Sequence, residues 1–349
     1  MYDYMVVGQG IAGTVLTEHL IQAGQKVLVF DDPSHSTSSR VAGGLYNPIT
    51  GRKMVKTWKA DMLFPYLIDF YSRLELLLSA RFLIDTPIYR PFLSIEELNE
   101  WTGKSSDKGY RPFISKVMDK SAYGEHLHDA YGGLLLAQSG YLDTVSMLTA
   151  YRLYLQEKGT LISETFHPEK LELQDGGVVY QGHRARRVIF CDGPMLQDNP
   201  FFDWLPMRPV KGELLYIKAD VKMEAIYNRG VFVIPINDGI CKVGATYDHA
   251  NLDTTTTERA ANQLKEKLSG LVKFPYEVVD QVAGIRPATR DRRPMIGIHP
   301  QLKQVGVFGG MGTKGVSLAP YFANEFVQHL TKKNELSEEV NIARFFSLS

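Results

Sequence analysis

Gly8-Gln9-Gly10-Ile11-Ala12-Gly13 carries the spacing G-x-G-x-x-G, and a carboxylate, Asp31, follows Gly13 by 18 residues. Each glycine has a mechanical reason. The first makes a tight turn, the second lets a pyrophosphate approach the backbone, and the third packs a helix on a strand. The N–H groups at the helix start then stabilise phosphate charge. An acid at this distance can accept ribose hydroxyls, and Asp32 stands beside it as a second candidate. The chemistry implied is dinucleotide binding. A lone G-x-G-x-x-G is also compatible with an ordinary glycine-rich turn, so the flanking elements decide.

Those elements are the right ones. Tyr4 to Val7 reads as a short buried strand. Ala12, Val15, Leu16, His19 and Leu20 share one face at helical spacing, and Gly24 is placed to stop that helix. Lys26 to Phe30 reads as a second strand ending at Asp31. Small hydroxyl and glycine residues then dominate the segment from Pro33 to Tyr46. They suit a backbone passing close to a long cofactor, but composition alone does not choose between NAD and FAD.

The segment T-S-S-R-V-A-G-G-L at 37–45 resembles the second flavin segment of the FAD-dependent D-amino-acid oxidase superfamily, the glycine oxidase and sarcosine oxidase group. Further motifs follow in the family's order. Gly140-Tyr141-Leu142-Asp143 resembles its G-x-L-D helix entry. Arg187 to Gly193 resembles a strand that ends at the cofactor, although Cys191-Asp192 stands where the family usually has Ala or Ser. Pro209-Val210-Lys211-Gly212-Glu213 and Val243-Gly244-Ala245-Thr246 resemble strands of the substrate side. Gly284 to Gly297 is similar to G-x-R-P-x-T-x-D-x-x-P-x-I-G, and Val307 to Pro320 to the closing flavin hook.

The resemblance implies FAD, held by Gly8, Gly10, Ile11, Ala12 and Gly13, by Asp31 and Asp32, and by Ser38, Ser39, Arg40, Ala42, Gly43, Gly44 and Leu45. It adds Cys191, Asp192 and Gly193, then Gly310, Met311, Gly312, Thr313, Lys314 and Gly315. Five glycines lie between 306 and 315, ahead of a helix with Leu318, Phe322, Phe326 and Leu330 along one stripe. The start of that helix can face the pyrimidine end of a flavin and stabilise negative charge there. Covalent relatives use a cysteine near the Arg286 motif or a histidine close to the first glycine loop. Ile285 and Pro287 flank Arg286, and His35 precedes the flavin segment, so non-covalent FAD is expected.

The activity implied is amine oxidation, with hydride transfer from the carbon beside nitrogen to flavin N5 and hydrolysis of the imine. Arg286 matches the arginine that pairs with a substrate carboxylate, a task for which a planar fork is suited. A structural ion pair with Asp291 is the plainer reading. Phe232 falls where glycine oxidases keep a tyrosine, which weakens the case for a small amino acid. Tyr46 or Tyr247 could supply the hydroxyl, or be a core or rim aromatic. Lys242 lies near the position of an oxygen-activating lysine, against the commoner reading of an exposed strand lysine.

The fold expected is α/β, a Rossmann-like FAD domain (1–78, 139–203 and 286–349) interleaved with an α+β substrate domain on an antiparallel sheet (79–138 and 204–285). Glu213–Ile217, Gly230–Ile234 and Ile240–Thr246 read as strands, with a turn at Asn237-Asp238-Gly239, and Thr257–Leu271 as a helix. The chain has 349 residues, 39 Lys+Arg against 39 Asp+Glu, and two cysteines 50 positions apart. That balance argues against a basic nucleic-acid coat, a zinc site and a disulfide framework. No apolar run reaches the ~18 residues of a membrane span, so a cytoplasmic protein is expected. The partners expected are a small amine or amino acid and oxygen or another electron acceptor.

Gly44-Leu45-Tyr46-Asn47-Pro48 and the hook also resemble the oxidase domain of the bifunctional tRNA wobble-uridine methylaminomethyl biosynthesis enzymes. A tRNA substrate would favour a basic surface, and Arg52, Lys53, Lys56 and Lys59 are the only hint of one. A flavin-binding protein without turnover is the remaining reading.

Overall fold

A computed structural model describes residues 1–34, 38–237 and 239–348. His35, Thr37 and Asp238, each used in the sequence reading, lie outside the described residues. Strand β1 (Tyr2–Val7) leads into helix α1 (Ile11–Gln22) and strand β2 (Val27–Phe30). Five further α-helices longer than one turn follow, with the short α2 (Ser38–Val41) ahead of them. They are α3 (Ala60–Leu78), α4 (Ile95–Lys104), α5 (Thr144–Glu157), α6 (Glu258–Ser269) and α7 (Gly315–Lys332).

The first sheet has eight strands. Its parallel centre runs through Leu161–Ile162, β2, β1, His183–Phe190 and Val305–Gly309. The register aligns Val7 with Phe30 on one side and with Phe190 on the other. Gly8, Asp31 and Cys191 therefore leave three adjacent strands at one edge. This is the carboxyl edge, where open α/β sheets bind ligands.

Helix α1 is buried almost all round, not on one face: Ile11 and every residue from Gly13 to Leu20 are buried. Ala12, assigned to the apolar face, is only half-buried. The helix packs against α7 and α5 as well as β1, so its polar residues need internal partners. Glu18 accepts from the Tyr151 hydroxyl at 3.1 Å, and the His19 ring lies between the Val15 carbonyl and the Tyr66 hydroxyl. Burial lowers the His19 pKa to about 4, so the ring is neutral.

The second sheet also has eight strands. In order they are Glu277–Arg286, Val210–Lys218, Ile240–Gly244, Val231–Pro235, Ile226–Arg229, Ile88–Pro91, Gly133–Leu136 and Ile114–Met118. Every neighbouring pair is antiparallel except Ile226–Arg229 with Ile88–Pro91. Residues 79–138 thus supply the last three strands of this sheet.

Alternation gives this sheet two different faces. Leu215, Ile217, Val231, Val233 and Val243 pack against Ala261, Leu264 and Leu268 of α6. Ile88, Leu134, Leu136, Ile226 and Ile234 instead join a core with Tyr46, Ile49, Met54 and Phe64. Gly212, Leu214, Phe232, Lys242, Gly244, Gly284 and Arg286 share that second face by register. No helix among the described residues is long and apolar enough to cross a membrane.

Candidate active site

The glycine turn is shaped by contact. A Cβ built on Gly13 would lie 1.8 Å from the Gly8 carbonyl oxygen, so α1 reaches the end of β1 only with glycine there. Gly10 is the N-cap of α1 and offers no side-chain cap. A Cβ on Gly10 would meet only the Ser39 hydroxyl, at 3.0 Å. That hydroxyl accepts from the Ile11 N–H at 3.0 Å. Gly10 and Ser39 thus line a cradle at a helix N-terminus, the environment a pyrophosphate needs.

Asp31 accepts the Gln9 N–H at 2.8 Å and pairs with Arg152 at 2.6 Å. It therefore braces the turn itself. Arg152, on α5, had no sequence signal, because its partner lies 121 residues away. Asp32 accepts from Ser34 and Thr165. The Ser38 hydroxyl donates to the Ile285 carbonyl, next to Arg286. Gly284 lies under α2, its ideal Cβ 3.3 Å from Val41 Cβ. So α2 and the sheet face bearing Arg286 meet directly. Arg40, Ala42 and Gly43 continue from α2, the Gly44 carbonyl accepts from the Leu142 N–H at 2.9 Å, and Leu45 pairs with Tyr141.

Cys191 is buried, its backbone oxygen 2.7 Å from an ideal Gly8 Cβ. Asp192 follows and is held by Asn199, which donates to Oδ2 at 3.0 Å, while the buried Oδ1 has no partner. Burial pushes the Asp192 carboxyl up to about 6. Gly193 begins a short 3-10 turn. At the hook, the Gly312 N–H donates to the Pro287 carbonyl at 3.0 Å, tying the hook to the Arg286 segment. Met311 packs in the core, Thr313 is exposed, and Lys314 leads into α7 at Gly315. Burial, then Arg293 and Arg292, lowers the Lys314 pKa. Leu318, Phe322 and Phe326 of the apolar stripe are buried and Leu330 is half-buried. The turn, the Ser39 cradle, the α2 segment and the hook fit a long dinucleotide lying across the sheet edge.

Arg286 ends its strand half-buried. It donates from Nη1 to the Thr246 carbonyl at 3.0 Å, and no carboxylate pairs with it among the described residues. Asp291, the partner considered for it, pairs with Arg344 at 2.9 Å. Lys242 is 7% exposed, not the exposed strand lysine of the plainer reading. Its ammonium lies 5.7 Å from the Tyr216 ring centre, and burial lowers its pKa against the opposing pull of Asp143. Phe232 fills the space between Gly43 and Gly244, with ring Cζ 2.7 Å from an ideal Cβ on each.

Tyr46 belongs to the core and not to this cluster. It is 2% exposed, its hydroxyl donates to the Ile84 carbonyl at 3.4 Å, and burial raises its pKa. The basic cluster near it is partly neutralised, since Lys56 pairs with Asp61 and Lys59 with Glu339.

Two outcomes follow from this geometry. Gly10→Val is expected to abolish flavin binding while leaving the chain folded, because its side chain would fill the cradle. Flavin absorbance and circular dichroism of the purified variant check this. For Asp192, a folded pKa raised from 3.8 to about 6 means stability falls as pH climbs through that window. Asp192→Asn keeps an acceptor for Asn199 and removes this loss. It is expected to be more stable than wild type above pH 6, by at most about 3 kcal/mol, with the difference closing towards pH 4. Urea unfolding across that range measures it.

Residues 3–329 match the family described as DAO, FAD-dependent oxidoreductase. The glycine oxidase of Pseudomonas putida is 26% identical over 354 residues, covering 94% of this chain and 94% of its own. The tRNA 5-methylaminomethyl-2-thiouridine biosynthesis bifunctional protein MnmC of Legionella pneumophila is 21% identical over 85% of this chain, but 45% of its own length. Among solved structures, iminodiacetate oxidase from Chelativorans sp. BNC1 matches with a TM-score of 0.79 at 18% identity, covering 98% of each chain. A family match that runs from the glycine turn through the helix behind the hook is the conclusion to which the geometry leads: this chain belongs to the DAO family of FAD-dependent oxidoreductases.

Proposed function

We propose that this protein oxidises the C–N bond of an amine that bears a carboxylate, and that the resulting imine is hydrolysed. The observation that carries this reading is Arg286, a half-buried guanidinium without a carboxylate partner among the described residues, on the sheet face that meets α2. Taking a cation from water without an anion costs free energy, and a substrate carboxylate compensates by two parallel hydrogen bonds. Bound FAD supplies the hydride acceptor. The protein orients the amine and keeps water from the reacting carbon. A neutral amine is the reactive form, so no strong acid or base is required of the side chains.

Phe232 stands between Gly43 and Gly244 and presents only an apolar ring there. It offers no second hydrogen bond to a carboxylate, which argues against the smallest amino acids as substrates. Lys242 places a second buried cation on the same face. We assign it to the electron-acceptor half of the reaction, where a fixed positive charge stabilises negative charge developing on oxygen or another acceptor. FAD is read as non-covalent. Cys191 lies beneath the glycine turn and Cys241 on the α6 side of the sheet, and the residues flanking Arg286 are Ile285 and Pro287. Acid precipitation is expected to release unmodified FAD, and flavin retained in the pellet overturns this.

The carboxylate reading is tested by Arg286→Lys and Arg286→Ala. Lys keeps the charge without the fork and is expected to keep part of the activity. Ala is expected to lose about 2–5 kcal/mol in apparent affinity with its flavin retained. Wild type should prefer a carboxylate amine over its amide, and Arg286→Ala should not. Anaerobic flavin bleaching with paired substrates reads this. Equal preference in both proteins makes Arg286 structural and shifts the reading to a tRNA or other non-amino-acid substrate.

A further inference from the structure

The guanidinium of Arg286 is approached closely by a glycine backbone and by an aromatic ring. A Cβ built on Gly212 would lie 2.0 Å from Nη2, 2.2 Å from Cζ and 2.4 Å from Nη1. Near-equal distances to Cζ and both terminal nitrogens place that Cβ off the guanidinium plane, over the Nη1–Nη2 fork. The bare Cα of Gly212 therefore lets the strand Val210–Lys218 lie against one face. Arg286 Cζ stands 4.5 Å from the centre of the Tyr247 ring. The Cζ atom thus lies over the ring, away from the backbone of Gly212. Tyr247 is itself 64% exposed and makes the outer wall of this arrangement. The Thr246 carbonyl takes one proton of Nη1.

We propose that Tyr247 is a positioning residue, whose ring closes the outer face of the Arg286 guanidinium so that a substrate carboxylate is admitted only within the guanidinium plane. The inference rests on the reading of Arg286 as the carboxylate site. The ring attracts the cation through its negative face and keeps water from competing above it. It also removes rotational freedom that a carboxylate would otherwise have to freeze on binding. The free N–H groups that remain lie in the plane, where they match the two oxygens of a carboxylate. The hydroxyl plays no part in this role, which distinguishes it from a tyrosine that donates to the substrate. Substrates bearing bulk out of the carboxylate plane meet either the Gly212 backbone or the Tyr247 ring.

The experiment titrates acetate and, as a neutral isostere, acetamide into the oxidised flavin-loaded protein, reading the flavin absorption spectrum. Tyr247→Phe keeps the ring and is expected to keep the wild-type acetate affinity. Tyr247→Leu is expected to bind acetate about tenfold more weakly, with acetamide unaffected and flavin content unchanged. Wild-type acetate affinity in Tyr247→Leu overturns the proposal. Equal loss in Tyr247→Phe and Tyr247→Leu also overturns it, because the hydroxyl is then the active group. A wild type that does not distinguish acetate from acetamide removes the Arg286 reading and this inference with it, whereas the first two outcomes leave Arg286 standing.

Discussion

The approach of α1 to the end of β1 is the constraint on which the site depends. The Gly13 Cα comes so close to the Gly8 carbonyl that no side chain fits between them. That contact turns the chain sharply and points the first turn of α1 across the sheet edge. The aligned register of Val7, Phe30 and Phe190 then delivers Gly8, Asp31 and Cys191 to the same edge. Asp31 ties the turn to α5 through Arg152, and Ser39 brings α2 against the Ile11 N–H. The cradle that fits a dinucleotide is therefore lined by segments brought together by this register and by the Arg152 and Ser39 contacts.

The second sheet solves a different problem. One face is apolar and covered by α6. The other carries glycines at 212, 244 and 284, with Arg286 and Lys242 among them. Small residues let other groups come close to the backbone, here the guanidinium, the Phe232 ring and α2. The face is thus shaped by missing side chains as much as by those present. An antiparallel sheet suits this, because alternation separates packing from function at every second residue.

The electrostatics of the two halves are opposed in sign. On the sheet face, Arg286 and Lys242 are drawn from water without carboxylate partners among the described residues, and burial lowers the pKa of both. At the strand edge, Asp192 keeps a buried oxygen unsatisfied. Each is a group whose charged form is held at a cost that folding alone does not offset. Unpaired cations on one face create a demand for an anion, and no carboxylate among the described residues meets it.

Much of this was legible in the linear sequence. The strand–glycine turn–helix–strand order of the first 30 residues was legible because it depends on local geometry, although β1 begins at Tyr2 and not Tyr4, β2 at Val27 and not Lys26, and α1 is buried nearly all round. The strands read at Glu213–Ile217, Gly230–Ile234 and Ile240–Thr246 lie at Val210–Lys218, Val231–Pro235 and Ile240–Gly244, and they and the helix behind the hook were visible because alternation and helical stripes are properties of neighbours in sequence. What only the tertiary structure decided were the pairings between residues far apart in the chain. Asp31 meets Arg152, Asp291 meets Arg344 and not Arg286, and Tyr46 turns into the core while Tyr247 lies on Arg286. A residue type states what a side chain can do, but whether a charge is paired, buried or free depends on which strands lie side by side, and no local pattern encodes that.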